Sequence, residues 1–419
     1  MWETLRNAFK VKEIKKKLLY TFFMLLIFRL VSVIPAPGVN FAAVKNSMNT
    51  NLDALDLVNM MTGNAFQNMT IMAMGITPYI NASIIMQLLA VAIPSLEKLQ
   101  KQGEEGRKKI AQITRYVTIG LALFQAIGLV TSLGYIKPGV FNYFLVGVSM
   151  AAGSAFAMWL GERITTYGIG NGVSLIIFAG IMSNLFNGIR TLFAQAITTG
   201  LLSSWIKIFI IIALLIFMVI VITFVNLGER RIPINYAKRV KGRKMYGGQN
   251  TYMPIKVDAS GVLPLIFAFA FMSFPSTIIQ LTNPKGSFAQ WWAMNLGHGT
   301  FGYILVTGLL IFGFTFFYSA ITYNPIDIAK SLQENGGTIP GIRSGSATVN
   351  YISKVKNRLT TFDALFLAII ATLPTVATAQ LKEAIPFAAS SILIAVSVAL
   401  ETMRELEGQL TTRNYQGFL

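Results

Sequence analysis

Apolar residues in this chain gather into long runs that recur along its whole length. Ten of these runs are predicted as membrane-crossing helices: residues 18–34, 68–93, 110–134, 141–161, 173–194, 205–227, 259–282, 300–322, 362–380 and 386–403. A helix needs about 20 residues to cross roughly 30 Å of hydrocarbon, which matches the runs. They leave no room for a large soluble domain, so the expected fold is an all-α membrane protein. The second run holds an oddity. Its stretch "GITPYINASIIMQLL", residues 75–89, carries a glycine, a proline, an asparagine and a glutamine inside a span.

The polar stretches between runs set the orientation. With the N-terminus in the cytosol, 28 Lys and Arg fall on the cytosolic side, counting Arg115 at the cytosolic end of the third span, against Lys45, Lys137, Arg190 at the outer end of the fifth span, Lys285 and Lys382 outside; Arg29 and Lys207, also within predicted spans, are left out of the count. This asymmetry is a strong positive-inside signal and puts both termini in the cytosol. Most of the +18 net charge is therefore a topology signal, and nucleic-acid binding needs separate support.

Composition narrows the chemistry. Hydrophobic residues make up 54% and charged residues 12%, and the chain has one histidine and no cysteine. Disulfides, thiolate zinc sites, iron–sulfur clusters and cysteine nucleophiles are excluded, and no cofactor is expected. Arg29 is the one charge well inside a span; Asp363 and Glu401 stand at the cytosolic ends of spans nine and ten. Ion-coupled transporters usually keep carboxylates deep in the membrane as relays or ligands. Their absence counts against the alternative reading, a secondary transporter for a small solute. "GIGNGVSL", residues 168–175, lies between two spans with no strand before it, and no G-x-x-x-x-G-K-[ST] occurs, so no nucleotide site is read here. The chain is expected to be a passive device driven from outside rather than an enzyme. Lys15, Lys16 and Lys17 ahead of an apolar run imitate a signal peptide, but Arg29 and the many later spans favour an uncleaved first helix.

Two cytosolic loops are larger than the topology needs. Residues 228–258 are dense in Arg and Lys, and residues 323–361 contain the turn "NGGTIPGIRSG". Basic charge resting on anionic lipid accounts for part of this. Their length and turn chemistry favour a docking surface for a large partner such as ribosomal RNA or an acidic protein face. Outside, "NLDALDLVNMMTGNA", residues 51–65, has apolar residues at helical spacing yet is too short to cross, and reads as a half-buried helix tucked into the protein.

Ten spans divide into halves of five, 1–200 and 201–419, and an odd number per half requires the halves to be inverted. The second helix of each half carries a matching motif, Gly75-Ile-Thr-Pro78 and Gly261-Val-Leu-Pro264, expected as paired interruptions beside a path at the interface of the halves. Ile76 and Ile80 share a helix face, and Val173 and Ile177 repeat the pair in span five. A narrow apolar constriction closes a pore by dewetting. One face of the odd helix would then line a seal, and its polar residues would belong to an interface that opens.

"PAPGVN", "GITPYINASIIMQLL", "KQGEEGRKKIAQITRY", "GIGNGVSLIIFAGI", "ERRIPINYAKRVKGRKMYGGQNTYMPIKVDASGVLP", "YNPIDIAKSLQENGGTIPGIRSG" and "NRLTTFDALFLA" closely resemble the SecY family of protein-conducting channels, in order and across essentially the whole chain. The resemblance implies two inverted five-helix halves around an hourglass pore, a plug, and a lateral gate toward lipid. It implies a pore ring of Ile76, Ile80, Val173, Ile177, Ile266 and Ile394. The plug would be a short helix over about 52–63, with Leu52, Leu55, Val58, Met61 and Gly63. Asn81, Gln87 and Phe274 would lie at the lateral gate, and Arg243, Lys244 and Arg343 would dock the motor ATPase SecA or the ribosome. Other implied partners are the small membrane subunits SecE and SecG, signal sequences, unfolded polypeptides and membrane lipid. The implied location is the bacterial plasma membrane.

Overall fold

A computed structural model describes residues 6, 8–39, 62, 63, 65, 68–133, 139–200, 202–236, 239–241, 244–246, 250–258, 260–282, 286–297, 300–381 and 389–416. Each of the ten apolar runs holds a helix: α1 (Lys12–Val31), α2 (Thr77–Ala92), α4 (Glu104–Leu133) after the short α3 (Pro94–Lys101), α5 (Val140–Tyr167), α6 (Gly172–Thr199), α7 (Leu202–Leu227), α8 (Leu263–Thr282), α10 (Phe301–Thr322) after the short α9 (Ser287–Leu296), α12 (Ser346–Leu381) after α11 (Pro325–Glu334), and α13 (Ala389–Gln416). Among the described residues, α4, α5, α6, α7 and α10 are each long and apolar enough to cross a membrane unaided, and α2 with α3 makes a further candidate bent by 104°. The bend falls at Ile93, where Pro94 begins the next helix. A residue before proline is pushed out of the helical region, and Ile93 is extended at φ −107°, ψ 115°.

Several helices outrun their apolar runs on the basic side. α1 begins at Lys12, α4 at Glu104 and α12 at Ser346, while α13 continues to Gln416. The extra turns are polar, so hydropathy alone does not see them.

Three buried clusters organise the helices. Met69, Ala73, Met74, Ala126, Val146 and Met150 pack near the N-terminal helices, and Met218, Ile222, Leu265, Ile311, Leu367 and Leu393 pack among the later ones. A third cluster joins Phe28, Leu160 and Ile164 to Ile394 and Val398 of α13.

The two basic loops form one packed body. β1 (Glu229–Tyr236) pairs antiparallel with β4 (Asn250–Lys256), and β5 (Gly337–Thr338) adds to the end of β1 through Asn235↔Thr338 and Tyr236↔Gly337. Ile232 and Ile234, two apart and so on one face of β1, are buried with Ile255, Leu332 of α11 and Ile352 of α12. β2 (Arg239–Lys241) and β3 (Lys244–Tyr246) pair with each other between β1 and β4. The all-α expectation did not include this sheet, which arises because strands distant in sequence find each other.

Candidate functional site: an aliphatic cluster, a polar seam and a basic tip

The approach to α2 is not helical. Ile34–Ala36 and Met69–Ile71 run antiparallel beside each other, with a bridge between Pro35 and Thr70; Ala36 N–H donates to Met69 O (3.1 Å) and Ile71 N–H to Ile34 O (3.0 Å). This bridge joins the two stretches of chain that flank residues 40–61, which lie outside the described residues. The irregular strand passes tightly over α5, where a Cβ at Gly153 would collide with the Ile71 carbonyl. Gly75 then turns the chain at φ +51°, and α2 starts at Thr77 with Pro78 in its first turn. Proline is harmless there because its missing N–H has no intrahelical partner to lose. The matching motif does the same: Gly261 has φ +64°, and α8 starts at Leu263 with Pro264 second. The two Gly-x-x-Pro motifs, expected as interruptions within helices, are instead equivalent helix starts.

These starts aim aliphatic side chains at one place. Ile76, Ile80, Ile177 and Ile394 are buried in a single cluster, and Val173 and Ile266 pack against it half-buried. Four elements supply the six: the start of α2, α6, α8 and α13. Local chemistry orients α6. The Asn171 side chain caps it by accepting from Val173 N–H (3.1 Å) and Ser174 N–H (3.4 Å), with Gly170 at φ +82° just before. The turn is tied to α1 by Ile169 N–H donating to Thr21 Oγ1 (3.1 Å), and Gly172 N–H donates to Thr165 Oγ1 (2.9 Å). The glycine-rich "GIGNGVSL" is thus a helix-capping turn.

Of the predicted plug residues, Leu52, Leu55, Val58 and Met61 lie outside the described residues, and Gly63 is described. Its carbonyl accepts from Arg29 Nη1 (3.3 Å), and Arg29 Nη2 donates to the Ser183 hydroxyl on α6. A Cβ at position 63 would run into that guanidinium, and Gly63 sits at φ +66°. In the sequence Arg29 is the one charge well inside a span, with no partner indicated. The structure makes it a link between α1, α6 and the segment leading to α2.

A polar seam crosses between early and late helices. The Tyr318 hydroxyl on α10 donates to Gln87 Oε1 on α2 (2.8 Å), and Gln87 Nε2 donates to Ser83 Oγ (3.4 Å). Tyr318 packs against Phe267 of α8 with ring centroids 5.6 Å apart, and Phe267 stacks on Phe314 at 5.5 Å. Gln87 was expected at such a seam. Tyr318 was missed, since its only signal is one hydroxyl in an otherwise apolar aromatic run. Asn81 lies half-buried on α2. Phe274 belongs to α8, directly before Pro275, which removes one helical hydrogen bond there.

At the far end of the sheet body, Arg343 is exposed between Gly341 (φ +78°) and Gly345 (φ +100°). Thr348 Oγ1 donates to its carbonyl (3.0 Å), and Ile339 and Ile342 anchor the tip in the loop core. Arg243 lies outside the described residues, and Lys244 is described only as part of the β3 backbone.

These features define a multi-pass helical membrane protein with an aliphatic cluster between its helices and a basic body at one end. The model of the SecY family matches residues 70–403, and the chain belongs to that family. It is 42% identical to the protein translocase subunit SecY of Streptomyces scabiei, covering 99% of this chain and 98% of that one, and 41% identical to the subunit of Halalkalibacterium halodurans over 100% of both. Among solved structures, a protein-conducting channel superposes with a TM-score of 0.69 at 20% identity, covering 94% of this chain and 91% of that one. Sec61 in a canine ribosome–channel complex gives 0.65 at 20% identity, with the same coverage. These two share the fold.

Proposed function

We propose that the chain is the channel-forming subunit of a protein translocase, that the six aliphatic residues are its seal, and that the seam between α2 and α8/α10 is its lateral gate. Family membership supports passage of unfolded polypeptides across the membrane and release of apolar segments into lipid. The observation that carries the seal is the meeting of all six expected side chains, from four helices, in one cluster. The physics fits. An extended chain carries unpaired backbone groups that cost several kcal/mol each in hydrocarbon, so it needs a wet conduit interrupted only by a short closure. An apolar helix gains roughly 0.3 to 0.6 kcal/mol per Leu, Ile, Phe or Val at its centre and leaves sideways.

The finer reading assigns residues 1–200 and 201–419 to two inverted halves, both termini to the cytosol and the protein to a bacterial plasma membrane. Residues 52–63 act as a plug, with Arg29 holding its end through Gly63. Arg343, with Arg243 and Lys244, docks a motor ATPase of the SecA type or a ribosome, and small subunits of the SecE and SecG type complete the complex. The likeness to Sec61 in a canine ribosome–channel complex supports the ribosomal partner. Reconstitution of the chain with such subunits, a motor and a secretory precursor is expected to give ATP-dependent uptake of the precursor and no uptake of a panel of small solutes. Solute uptake without precursor transport would overturn this function.

Two results follow for the gate and the plug. With no native cysteine, Gln87→Cys paired with Tyr318→Cys gives a clean background for a short bifunctional crosslinker. Bridging is expected to block translocation, and cleaving the linker to restore it; efficient bridging with undiminished transport would place the gate elsewhere. Arg29→Met removes both donors at Gly63 and Ser183 and is expected to raise resting ion conductance in planar bilayers. Wild-type conductance in that variant would remove Arg29 from plug retention.

A further inference from the structure

Two carboxyl groups that none of these roles uses are buried together where the chain enters α8. Asp258 is 8% exposed, Ser260 4% and Asp363 1%. The Ser260 hydroxyl donates to Asp363 Oδ2 at 2.5 Å, and Gly261 N–H donates to Asp258 Oδ1 at 2.7 Å. The remaining oxygen of Asp363, Oδ1, is buried with no hydrogen-bond partner among the described residues. Neither carboxyl forms an ion pair among the described residues.

The charges facing this pocket are few. Lys256 of β4 and Arg404 of α13 act on Asp258 at longer range, and the two carboxyls act on each other. Arg404 is engaged elsewhere, its Nη2 donating to the Asn226 carbonyl at 3.1 Å. Burial pushes the Asp258 carboxyl up from its ordinary value, against the pull of the Gly261 N–H, Lys256 and Arg404. A buried carboxylate oxygen without a partner is costly, and two carboxylates in one pocket cannot both ionise cheaply. The orphan oxygen and the missing counter-charge point to the same ligand.

We propose that Asp258, Ser260 and Asp363 form a binding site for a single proton, shared by the two carboxyls at neutral pH, that clamps the entry of α8 to α12. With the proton bound, the pocket holds at most one negative charge. When the proton leaves to water, two like charges share the pocket and the clamp loosens. The consequence reaches the aliphatic cluster, because Gly261 sets the start of α8 and Ile266 lies in its first turns. The two groups titrate as a pair, so the site has pair properties rather than one residue's.

Infrared spectroscopy of the full chain in lipid nanodiscs tests this directly. The wild type is expected to show the C=O stretch of a buried protonated carboxyl at neutral pH, lost as pH rises. Asp258→Asn and Asp363→Asn are each expected to move that loss to lower pH, because the like charge is gone, and the double variant to lack the band. Ser260→Ala, a small change compatible with the fold, is expected to keep the band and shift its frequency by removing the hydrogen bond at Oδ2. Absence of the band in the wild type at neutral pH, its persistence in the double variant, or an unmoved titration in both single variants would each overturn the proposal.

Discussion

Replacing Ile80 by Asn is expected to hold the channel open. Ile80 is buried beside Ile76, Ile177 and Ile394, so the change removes roughly 1.5–3 kcal/mol of aliphatic burial. It also leaves an amide without partners at a cost of about 1–3 kcal/mol. Both penalties fall on the closed arrangement, since an open pore is wet and satisfies the amide. A shift of about 3 kcal/mol changes the closed-to-open ratio by roughly 100-fold at 1.4 kcal/mol per decade. Resting ion conductance should rise accordingly, and precursors with weakened signal sequences should be accepted. Ile266→Asn should act in the same direction but more weakly, because Ile266 is only half-buried. Wild-type conductance and signal stringency in both variants would remove these residues from the seal.

The second large effect is expected at Arg343. Arg343→Glu reverses the charge at an exposed tip whose backbone is held by two positive-φ glycines and by Thr348, so the fold of the loop body should be untouched. Like charge set against an acidic partner surface costs several kcal/mol and slows association, so motor-driven precursor transport should fall to background. Channel assembly and melting temperature should stay at wild-type values. Unimpaired transport would show that the tip is not where the driving partner docks.

The parts of this protein that lipid dictates were legible in its sequence. Each of the ten apolar runs holds a helix among the described residues, because backbone in lipid must satisfy its hydrogen bonds within its own segment. The six aliphatic residues were picked out partly by helical spacing and partly by family resemblance, and the structure gathers them in one cluster. What sequence hid was pairing over distance. The sheet needs β1 to meet both β4 and β5, and no local pattern announces a partner 103 residues away, as Thr338 Oγ1 donating to the Asn235 carbonyl shows. Tyr318 and Gln87 are 231 residues apart. The surroundings of Asp363 were hidden for a related reason: it stands at the end of a predicted span, and its burial at 1% exposure comes with a hydrogen bond from Ser260, 103 residues away. The Gly-x-x-Pro motifs were noticed and their symmetry was sound, but a proline two residues into a helix and a proline within one look alike until the start is known.

The central claim, that a polypeptide passes through the aliphatic cluster, is tested most directly by site-specific photocrosslinking to a translocating precursor. A photoreactive residue is placed in turn at Ile80, Val173, Ile266 and Ile394, with Phe224 on α7, 80% exposed, as the outward-facing control. A precursor halted midway by a folded C-terminal domain should crosslink to all four cluster positions and not to Phe224. Crosslinking at Phe224 with none at the four would contradict the account.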